Sequence, residues 1–219
     1  MPTLLITAGP THEPIDRVRF IGNRSSGRLG VALADAAARS NLGWDVQLLL
    51  GPTCLTPSDS RVILHRFQTT ADLEALLTAH VPNCDILIMA AAVADYRPRP
   101  ALDASGKIQR TDRPLVIELE PTNDLLAGVA GIRRPDQTIV GFALEPRERL
   151  MSSASAKLTR KRLDFIVANP LETMDAPTIE ATLIGRGGAV VRQWPSTSKD
   201  QFAADLLGLI AESRGEKTK

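Results

Sequence analysis

The sequence has few aromatic residues, few cysteines and almost no net charge. Aromatic side chains account for 4% of its 219 residues, which favours helices packed on a parallel sheet over an aromatic-rich β-sandwich. Cys54 and Cys84 are the only cysteines, and their spacing does not match a set of metal ligands. The formal net charge is +1, which excludes a general attraction of the whole chain to nucleic acid or to a membrane surface.

The sequence also lacks a segment that would cross a membrane or direct export. Its longest apolar run, residues 86–94, is much shorter than the roughly 20 residues that a spanning helix needs. The amino terminus enters an apolar run at once, without the basic stretch and cleavage site of a signal peptide. We therefore predict a cytoplasmic protein with reduced cysteines, and neither a nucleic acid nor a membrane as a partner.

The chain does contain a regular alternation of short apolar runs and helical patterns, which is typical of a mostly parallel sheet covered on both faces. We predict a single domain over residues 1–219 with an α/β fold, a three-layer αβα Rossmann-like arrangement that ends in a β-hairpin. Strands are expected at 4–7, 45–50, 61–64, 85–92, 115–119, 138–143 and 165–168, and in a hairpin at 182–184 and 190–192. Helices are expected from Ser25 or Ser26 to Arg39, from Thr69 or Thr70 to His80, between Glu145 and Arg162, and over 202–210 with Ser198 as the cap.

Two segments have no period. Residues 97–113 contain two prolines, Gly106 and five basic residues, and a long irregular stretch of this kind in a compact domain predicts a functional loop, here a lid. Residues 214–219 are expected to be a frayed tail.

The strand predicted at 85–92 ends in small residues. Ala90, Ala91 and Ala92 leave room for a ligand at the carboxyl edge of the sheet, where open α/β sheets bind ligands. Asp95 and Tyr96 follow directly. Either Asp95 caps a turn and Tyr96 packs against the lid, or the pair forms a wall of an active site with Asp95 near a hydroxyl or a metal.

The segment from Gly9 to Gly30 has the densest functional chemistry. It contains four arginines, Arg17, Arg19, Arg24 and Arg28. Ser25, Ser26 and Gly27 stand where a helix should begin, and a helix start offers unpaired N–H groups and a positive dipole end that can bind a phosphate. The alternative is a simple helix cap with solvated arginines, but the number of arginines favours anion binding.

The same segment partly matches the dinucleotide fingerprint, which gives an alternative function, an NAD(P)-dependent oxidoreductase of short-chain type. The match is poor because residues 10–24 intervene where the fingerprint should follow the first strand at once. That class also needs a tyrosine with a lysine four residues later. Tyr96 is the only tyrosine in the sequence, and the position four residues after it is occupied by Pro100. No P-loop occurs. A third hypothesis is a nucleotide-binding regulatory module without catalysis.

Two further groups of cations and one asparagine have open interpretations. Lys107 and Arg110 either clamp phosphates when the lid closes or belong to a solvated loop. Residues 157–162 contain four cations, which the helix dipole explains in part, although their number favours a function. Asn169 is either a turn residue or a polar group at the ligand edge.

The chain resembles the phosphopantothenate–cysteine ligase (phosphopantothenoylcysteine synthetase) family, and the resemblance extends over nearly its whole length. The motifs that match are Ile6-Thr7-Ala8-Gly9-Pro10-Thr11-His12-Glu13-Pro14, Arg19-Phe20-Ile21-Gly22-Asn23-Arg24-Ser25-Ser26-Gly27, Ala90-Ala91, Val93-Ala94-Asp95-Tyr96, Lys107-Ile108, Thr122-Asn123-Asp124-Leu125, Gly141-Phe142-Ala143, and Lys157 with Lys161. The order is that of the bacterial, CTP-dependent members, which form the carboxyl-terminal half of a bifunctional coenzyme A biosynthesis flavoprotein.

This resemblance implies a ligase that joins 4′-phosphopantothenate to cysteine through an acyl-cytidylate. CTP is expected as the cosubstrate with Mg²⁺, and a homodimer is expected. No flavin is expected, because the first motif begins within ten residues of Met1.

The resemblance also implies roles for individual residues. Asn23 and Lys157 are expected to be catalytic. The phosphopantothenate residues are expected to be Arg19, Ser25, Ser26, Gly27, Ala92 and Asp95, and the nucleotide residues Gly9, Lys107, Phe142, Ala143, Lys161 and Asn169. Metal ligands are not identified. The sequence departs from the family pattern at Asn123, Arg162 and Pro170, and the last two bear on the nucleotide side.

Overall fold

The computed structural model describes residues 1–99, 106–174 and 176–215, and among them twelve strands and five helices can be named. The strands are β1 Thr3–Ala8, β2 His12–Pro14, β3 Phe20–Gly22, β4 Asp45–Leu50, β5 Ile63–Arg66, β6 Ile86–Met89, β7 Tyr96–Pro98, β8 Leu119–Pro121, β9 Thr138–Glu145, β10 Phe165–Pro170, β11 Thr178–Gly185 and β12 Val190–Ser198. The helices are α1 Arg28–Arg39, α2 Thr70–His80, α3 Leu125–Ile132, α4 Leu150–Arg160 and α5 Lys199–Ser213.

Eight strands form one sheet in the order β12-β11-β10-β9-β6-β1-β4-β5. Neighbouring strands from β10 to β5 are parallel, and β11 and β12 are added as an antiparallel hairpin at one edge. Side chains alternate across the sheet, so Leu4 and Ile6 of β1 pack towards α1 and α5, while Leu5 packs towards α2, α3 and α4. The predicted αβα layers and the carboxyl-terminal hairpin are confirmed.

The predicted helix caps at Thr69 and Ser198 are confirmed. Thr69 accepts a hydrogen bond from the Asp72 amide, and the Asp72 side chain accepts one from the Thr69 amide, which together form a capping box. Ser198 accepts a hydrogen bond from the amide of Gln201 at the start of α5. By contrast, α1 begins after Gly27 without a side-chain cap, at the point where the sequence predicts an anion site.

Several predicted boundaries are wrong. Only Leu119 of the strand predicted at 115–119 is extended, and it pairs with Pro98 in a small antiparallel ribbon of β7 and β8. Cross-strand ion pairs stabilise this ribbon, and Arg97 Nε lies 2.9 Å from Glu120 Oε1. Arg97 and Pro98, which the sequence placed in a lid at 97–113, therefore belong to strand β7. Residues 100–105 of the predicted lid lie outside the described residues.

Arg214 is not part of a frayed tail as predicted. Its Nη1 donates to the carbonyls of Asp85 and Asp136 and to the hydroxyl of Thr138, at 3.2–3.3 Å. These contacts fix the end of α5 to the amino edge of the sheet. The remaining part of that prediction, 216–219, lies outside the described residues. Among the residues that the structure describes, no helix combines the length and the apolar character needed to cross a bilayer.

Candidate active site

A cleft lies at the carboxyl edge of the sheet, beside the amino end of α1. The chain leaves β1 through α1 towards β4, whereas β6 pairs with the opposite side of β1, so β1 and β6 enclose the switch point where open α/β sheets bind ligands. The residues that line the cleft are Arg24, Ser25, Ser26, Gly27, Arg28, Leu29, Gly30, Ala90, Ala91, Ala92, Phe142, Leu144, Asn169, Thr173, Met174, Ile179 and Lys199.

Three glycines bring α1 close to the end of β1. Gly9 and Gly27 both have left-handed backbone, with φ of 79° and 73°, and a Cβ on Gly27 would lie 3.3 Å from Gly9 Cα. A Cβ on Gly30 would lie 2.3 Å from the Cβ of Ala8, which is closer than van der Waals contact allows. Side chains are thus excluded from the space between strand and helix, and the helix start lies directly at the strand end.

The amino end of α1 has the features of an anion site. No side chain caps the helix, and the nearest hydroxyl contacts are long, from the Gly27 amide to Ser25 Oγ and from the Arg28 amide to Ser26 Oγ, each 3.4 Å. Thr53 holds the turn by donating to the Ser26 carbonyl at 2.9 Å. Amide groups at a helix start that make only long hydrogen bonds, together with the helix dipole, favour the binding of a phosphate or a carboxylate.

The loop from Ala92 to Asp95 is held by hydrogen bonds from several directions. Asn23 Nδ2 donates to the Val93 carbonyl at 2.8 Å. The Ala94 amide donates to Thr11 Oγ1 at 2.9 Å, and Thr122 Oγ1 donates to the Ala94 carbonyl at 2.6 Å. Asn23 therefore lies against the loop that carries Asp95, although it is far from that loop in the sequence.

Lys157 is partly buried on the other side of β9. It extends from α4, and its Nζ donates to the Phe142 carbonyl at 2.7 Å. Burial lowers the pKa of the Lys157 ammonium, Glu145 and Asp95 oppose that shift by their negative charges, and Arg160 adds to it. An ammonium in a partly desolvated position near two carboxylates is suited to bind phosphate oxygens strongly.

Phe142 and Ala143 lie on opposite faces of β9. Phe142 lines the cleft and packs with the α1–α5 side, whereas Ala143 is buried in the core on the α4 side. The two residues therefore cannot both contact one ligand through their side chains. Asn169 also lines the cleft, and its Nδ2 donates to Thr173 Oγ1 at 2.9 Å.

Eight of the predicted site residues are not among those that line the cleft, namely Gly9, Arg19, Asn23, Asp95, Lys107, Ala143, Lys157 and Lys161. Lys161 is buried and forms an ion pair with Asp124, whose carboxylate also caps α3. Arg19 lies in the turn before β3, where its Nη1 contacts Asp16 and the Ile108 carbonyl. Lys107 is exposed and precedes Ile108. The Arg19 guanidinium thus contacts the residue that follows Lys107, and neither Arg19 nor Lys107 lines the cleft.

The sequence reasoning missed Lys199, which is 8% exposed and lines the cleft. Lys199 is the first residue of α5, where the helix dipole disfavours a cation. A lysine at this unfavourable position is a signal in the sequence by which Lys199 could have been recognised as a candidate site residue. A buried group around Glu13 was also missed: Glu13 Oε1 accepts from the Thr70 amide and hydroxyl at 2.8 and 2.7 Å, and the Thr70 hydroxyl oxygen lies 3.3 Å from the Thr11 hydroxyl oxygen.

The fold and the site together define an α/β protein with a Rossmann-like sheet and a cleft at the switch point, beside an uncapped helix start. Residues 2–213 match the model of the DNA/pantothenate metabolism flavoprotein C-terminal domain, and the chain belongs to this family. A solved structure described as the C-terminal domain of Coenzyme A biosynthesis bifunctional protein CoaBC is 34% identical, with a TM-score of 0.80, over 99% of this chain and 97% of that one.

Two curated relatives are longer than this chain. The Coenzyme A biosynthesis bifunctional protein CoaBC of Vibrio cholerae is 38% identical over 95% of this chain and 52% of its own length. A Cysteine/Cysteine sulfinic acid decarboxylase from an unknown prokaryotic organism is 41% identical over 94% of this chain and 57% of its own length. The chain spans about half the length of these relatives.

Proposed function

We propose that this chain joins 4′-phosphopantothenate to cysteine in coenzyme A biosynthesis, with CTP as the activating nucleotide. Family membership and the similarity to the C-terminal domain of CoaBC support this function. The observation that carries it is that two features suited to anions lie at one edge of the sheet, the uncapped amino end of α1 and the partly buried ammonium of Lys157. A ligase of this kind has to hold two anions, an acid and a triphosphate.

The proposed reaction has two steps. First, a carboxylate oxygen of phosphopantothenate attacks the α-phosphorus of CTP, and pyrophosphate leaves. Second, the cysteine amine attacks the carbonyl carbon of the acyl-cytidylate, and CMP leaves with the former carboxylate oxygen. Negative charge develops on the phosphates and on the acyl oxygen, so N–H donors and cations that are already in place lower both barriers.

Asn23 and Lys157 are the proposed catalytic residues. One of the two Nδ2–H groups of Asn23 holds the Val93 carbonyl, which orients the carboxamide and leaves the other group for the acyl oxygen. Lys157 is positioned to neutralise the phosphates as pyrophosphate leaves, because its ammonium is already held at the carboxyl end of β9.

The remaining site residues are divided between the two substrates. We assign phosphopantothenate to Arg19, Ser25, Ser26, Gly27, Ala92 and Asp95, and the nucleotide to Gly9, Lys107, Phe142, Ala143, Lys161 and Asn169. In this assignment Ala143 contributes through its backbone. Lys161 has to share its charge with Asp124 or leave that ion pair.

Mg²⁺ is proposed to enter with the triphosphate. In such sites Mg²⁺ keeps several waters and is held by one or two carboxylates and the substrate phosphates. Within the described residues there is no cluster of three or more His, Cys, Asp or Glu side chains that could hold a metal ion. Two carboxylates, those of Asp95 and Glu145, lie near Lys157. This number fits a site in which the phosphates provide most of the metal ligands. The bound ion would neutralise charge on the phosphates.

An NAD(P)-dependent oxidoreductase is not favoured. Tyr96, the only tyrosine, is exposed in the β7–β8 ribbon, and the hairpin of β2 and β3 separates β1 from α1. A regulatory module without catalysis would not explain a partly buried lysine whose pKa is lowered beside the cleft.

We also propose that the protein is a homodimer. Large apolar side chains are exposed in and near the β7–β8 ribbon, and Tyr96, Val116 and Leu119 are 55%, 77% and 44% exposed. A cluster of this kind on a short ribbon favours contact with another protein surface. The single domain over 1–219 and the cytoplasmic location stay predictions from the sequence.

The proposed function is tested by incubating the protein with phosphopantothenate, cysteine, CTP and Mg²⁺. Equal amounts of pyrophosphate, CMP and phosphopantothenoylcysteine are expected, measured by chromatography and mass spectrometry. ATP at the same concentration tests the nucleotide preference. Pyrophosphate release that is unchanged when phosphopantothenate is omitted would contradict the proposal.

A further inference from the structure

The carboxylate of Asp16 joins two segments that are distant in the sequence, the turn between β2 and β3 and the segment 106–113. Asp16 Oδ1 accepts hydrogen bonds from the amides of Val18 and Arg19, each at 2.8 Å. Asp16 Oδ2 accepts from Arg19 Nη1 at 2.5 Å and from the Ile108 amide at 3.1 Å. The side chain is fully buried.

Ile108 is held at both of its backbone polar groups. Its amide donates to Asp16, and its carbonyl accepts from Arg19 Nη1 at 3.2 Å. The Arg17 amide contacts the Gly106 carbonyl close by, at 3.5 Å. Because a peptide group that is held at two points has little rotational freedom, this contact fixes the backbone next to Lys107.

We infer that Asp16 is a positioning residue, which holds the Arg19 guanidinium and the backbone beside Lys107 in a fixed relation. The inference rests on the proposed function, in which Arg19 binds phosphopantothenate and Lys107 binds the nucleotide. Asp16 itself touches neither substrate. It acts by setting the distance between two cations that serve different substrates.

The charges around Asp16 fit this role. Burial raises the pKa of the Asp16 carboxyl. The backbone hydrogen bonds from Val18, Arg19 and Ile108 and the charge of Arg19 together outweigh this effect and lower the pKa to about 2. The carboxylate is therefore ionised at neutral pH and accepts all four hydrogen bonds. The cations in the two contacting segments are Arg17, Arg19, Lys107, Arg110 and Arg113.

The first variant is Asp16→Asn, which keeps the shape and the Oδ1 acceptor but replaces Oδ2 by a donor that cannot accept from Ile108 or Arg19. We expect the KM for phosphopantothenate and for CTP to rise by roughly 10- to 100-fold, the range that corresponds to one charged hydrogen bond, with a smaller change in kcat. Asp59→Asn is the matched control. Asp59 pairs with Arg61 through side chain and backbone, and its pKa is also lowered to about 2, yet it lies outside the proposed site.

The second variant keeps the turn intact. Ile108→Pro removes the amide that donates to Asp16 while Asp16 and Arg19 remain, so it should reproduce the KM changes. Thr111→Pro is its control, because no hydrogen bond from the Thr111 amide is present in the described structure. Wild-type KM values in Ile108→Pro together with altered values in Asp16→Asn would mean that Asp16 only maintains the turn, and the inference would be overturned.

Hydrogen exchange separates this inference from the proposed function. Amides of residues 106–113 should exchange faster in Asp16→Asn than in the wild type or in Asp59→Asn, without any substrate. If the wild-type protein has no ligase activity but this difference is present, the proposed function fails while the contact stands. Equal exchange in all three proteins would overturn the inference.

Discussion

Lys157 is the residue whose environment says most about the site. A partly buried ammonium costs stability, because the charged form is less favoured in the folded protein than in the unfolded chain. The lowered pKa of Lys157 expresses this cost, which is greatest at neutral pH and disappears as the pH rises above the ordinary lysine value. A protein retains such a residue when the charge has a use, here the neutralisation of phosphates.

The titration of Lys157 predicts a pH dependence of nucleotide binding. The charge is present below its pKa and is lost above it, so the KM for CTP should rise at a pH below the ordinary lysine value. In Lys157→Arg the cation persists to higher pH, and the alkaline rise should disappear, whatever the absolute KM. The measurement is KM for CTP from neutral pH to pH 10 or so. Lys161→Arg is the control and should keep the wild-type pH profile. A pH profile of Lys157→Arg equal to that of the wild type would contradict the assignment of Lys157 to the nucleotide phosphates.

Asn23 provides a second prediction at this scale. Asn23→Ala removes the proposed donor to the acyl oxygen, and kcat should fall by roughly 100- to 1000-fold, the usual effect of losing one such donor. The KM for CTP should change little, since Asn23 is assigned to the acyl group. Steady-state kinetics checks this, with Asn41→Ala, an exposed asparagine in a surface turn, as the control. A fall in kcat of less than tenfold would contradict the role.

At the residue level, the sequence predicts those positions that a motif fixes through the backbone. Six residues that the resemblance implied for the two substrates line one cleft, namely Ser25, Ser26, Gly27, Ala92, Phe142 and Asn169, and their roles stay predictions. The family motif does not specify which face of β9 each side chain occupies. The resemblance therefore assigned both Phe142 and Ala143 to the nucleotide, although their side chains lie on opposite faces of the strand. It also could not foresee that Lys161 pairs with Asp124, because that contact depends on how α3 and α4 pack.

At the scale of elements, the site depends on how closely α1 approaches β1. Gly30 makes this approach possible, because its Cα faces the side chain of Ala8 without space for a methyl group. The amino end of α1 would move away from the cleft if the helix were displaced. A single glycine in the first turn thus couples packing to anion binding.

Gly30→Ala should therefore lower both stability and substrate affinity. Overpacking of this kind typically costs about 1–3 kcal/mol in the free energy of unfolding, and the KM for phosphopantothenate should rise. Gly208→Ala in α5 is the matched control, because a Cβ there meets no atom within 4 Å and should stabilise the helix by about 0.5–1 kcal/mol. Chemical denaturation measures both variants. Equal stability of Gly30→Ala and the wild type would show that the helix is free to shift.

The sequence predicted the long elements and missed the short ones, for a physical reason. Buried strands such as β1 and β6 and helices with capping residues such as α2 have strong periodic patterns. The ribbons β2–β3 and β7–β8 have strands of three residues each, too short for a period. Cross-strand contacts stabilise them, such as the stacking of His12 on Phe20 at 3.6 Å between ring centroids, which no local pattern contains.

At the scale of the whole molecule, the exposed apolar side chains of the β7–β8 ribbon predict the assembly. Leu119→Arg should convert the proposed dimer to a monomer, since a charge would replace an apolar contact. Val190→Arg is the control, because Val190 is similarly exposed, at 50%, but lies on the edge strand β12. Analytical ultracentrifugation distinguishes the two masses. A wild-type monomer, or a dimer that Leu119→Arg leaves intact, would contradict the proposed interface.

In the proposed reaction, the carboxylate of phosphopantothenate attacks the α-phosphorus of CTP in the cleft beside α1. The most direct test uses phosphopantothenate with ¹⁸O in its carboxylate, and mass spectrometry of all products after complete turnover. One ¹⁸O atom is expected in CMP, one in the amide product and none in pyrophosphate. Label in pyrophosphate or in inorganic phosphate, with none in CMP, would contradict it.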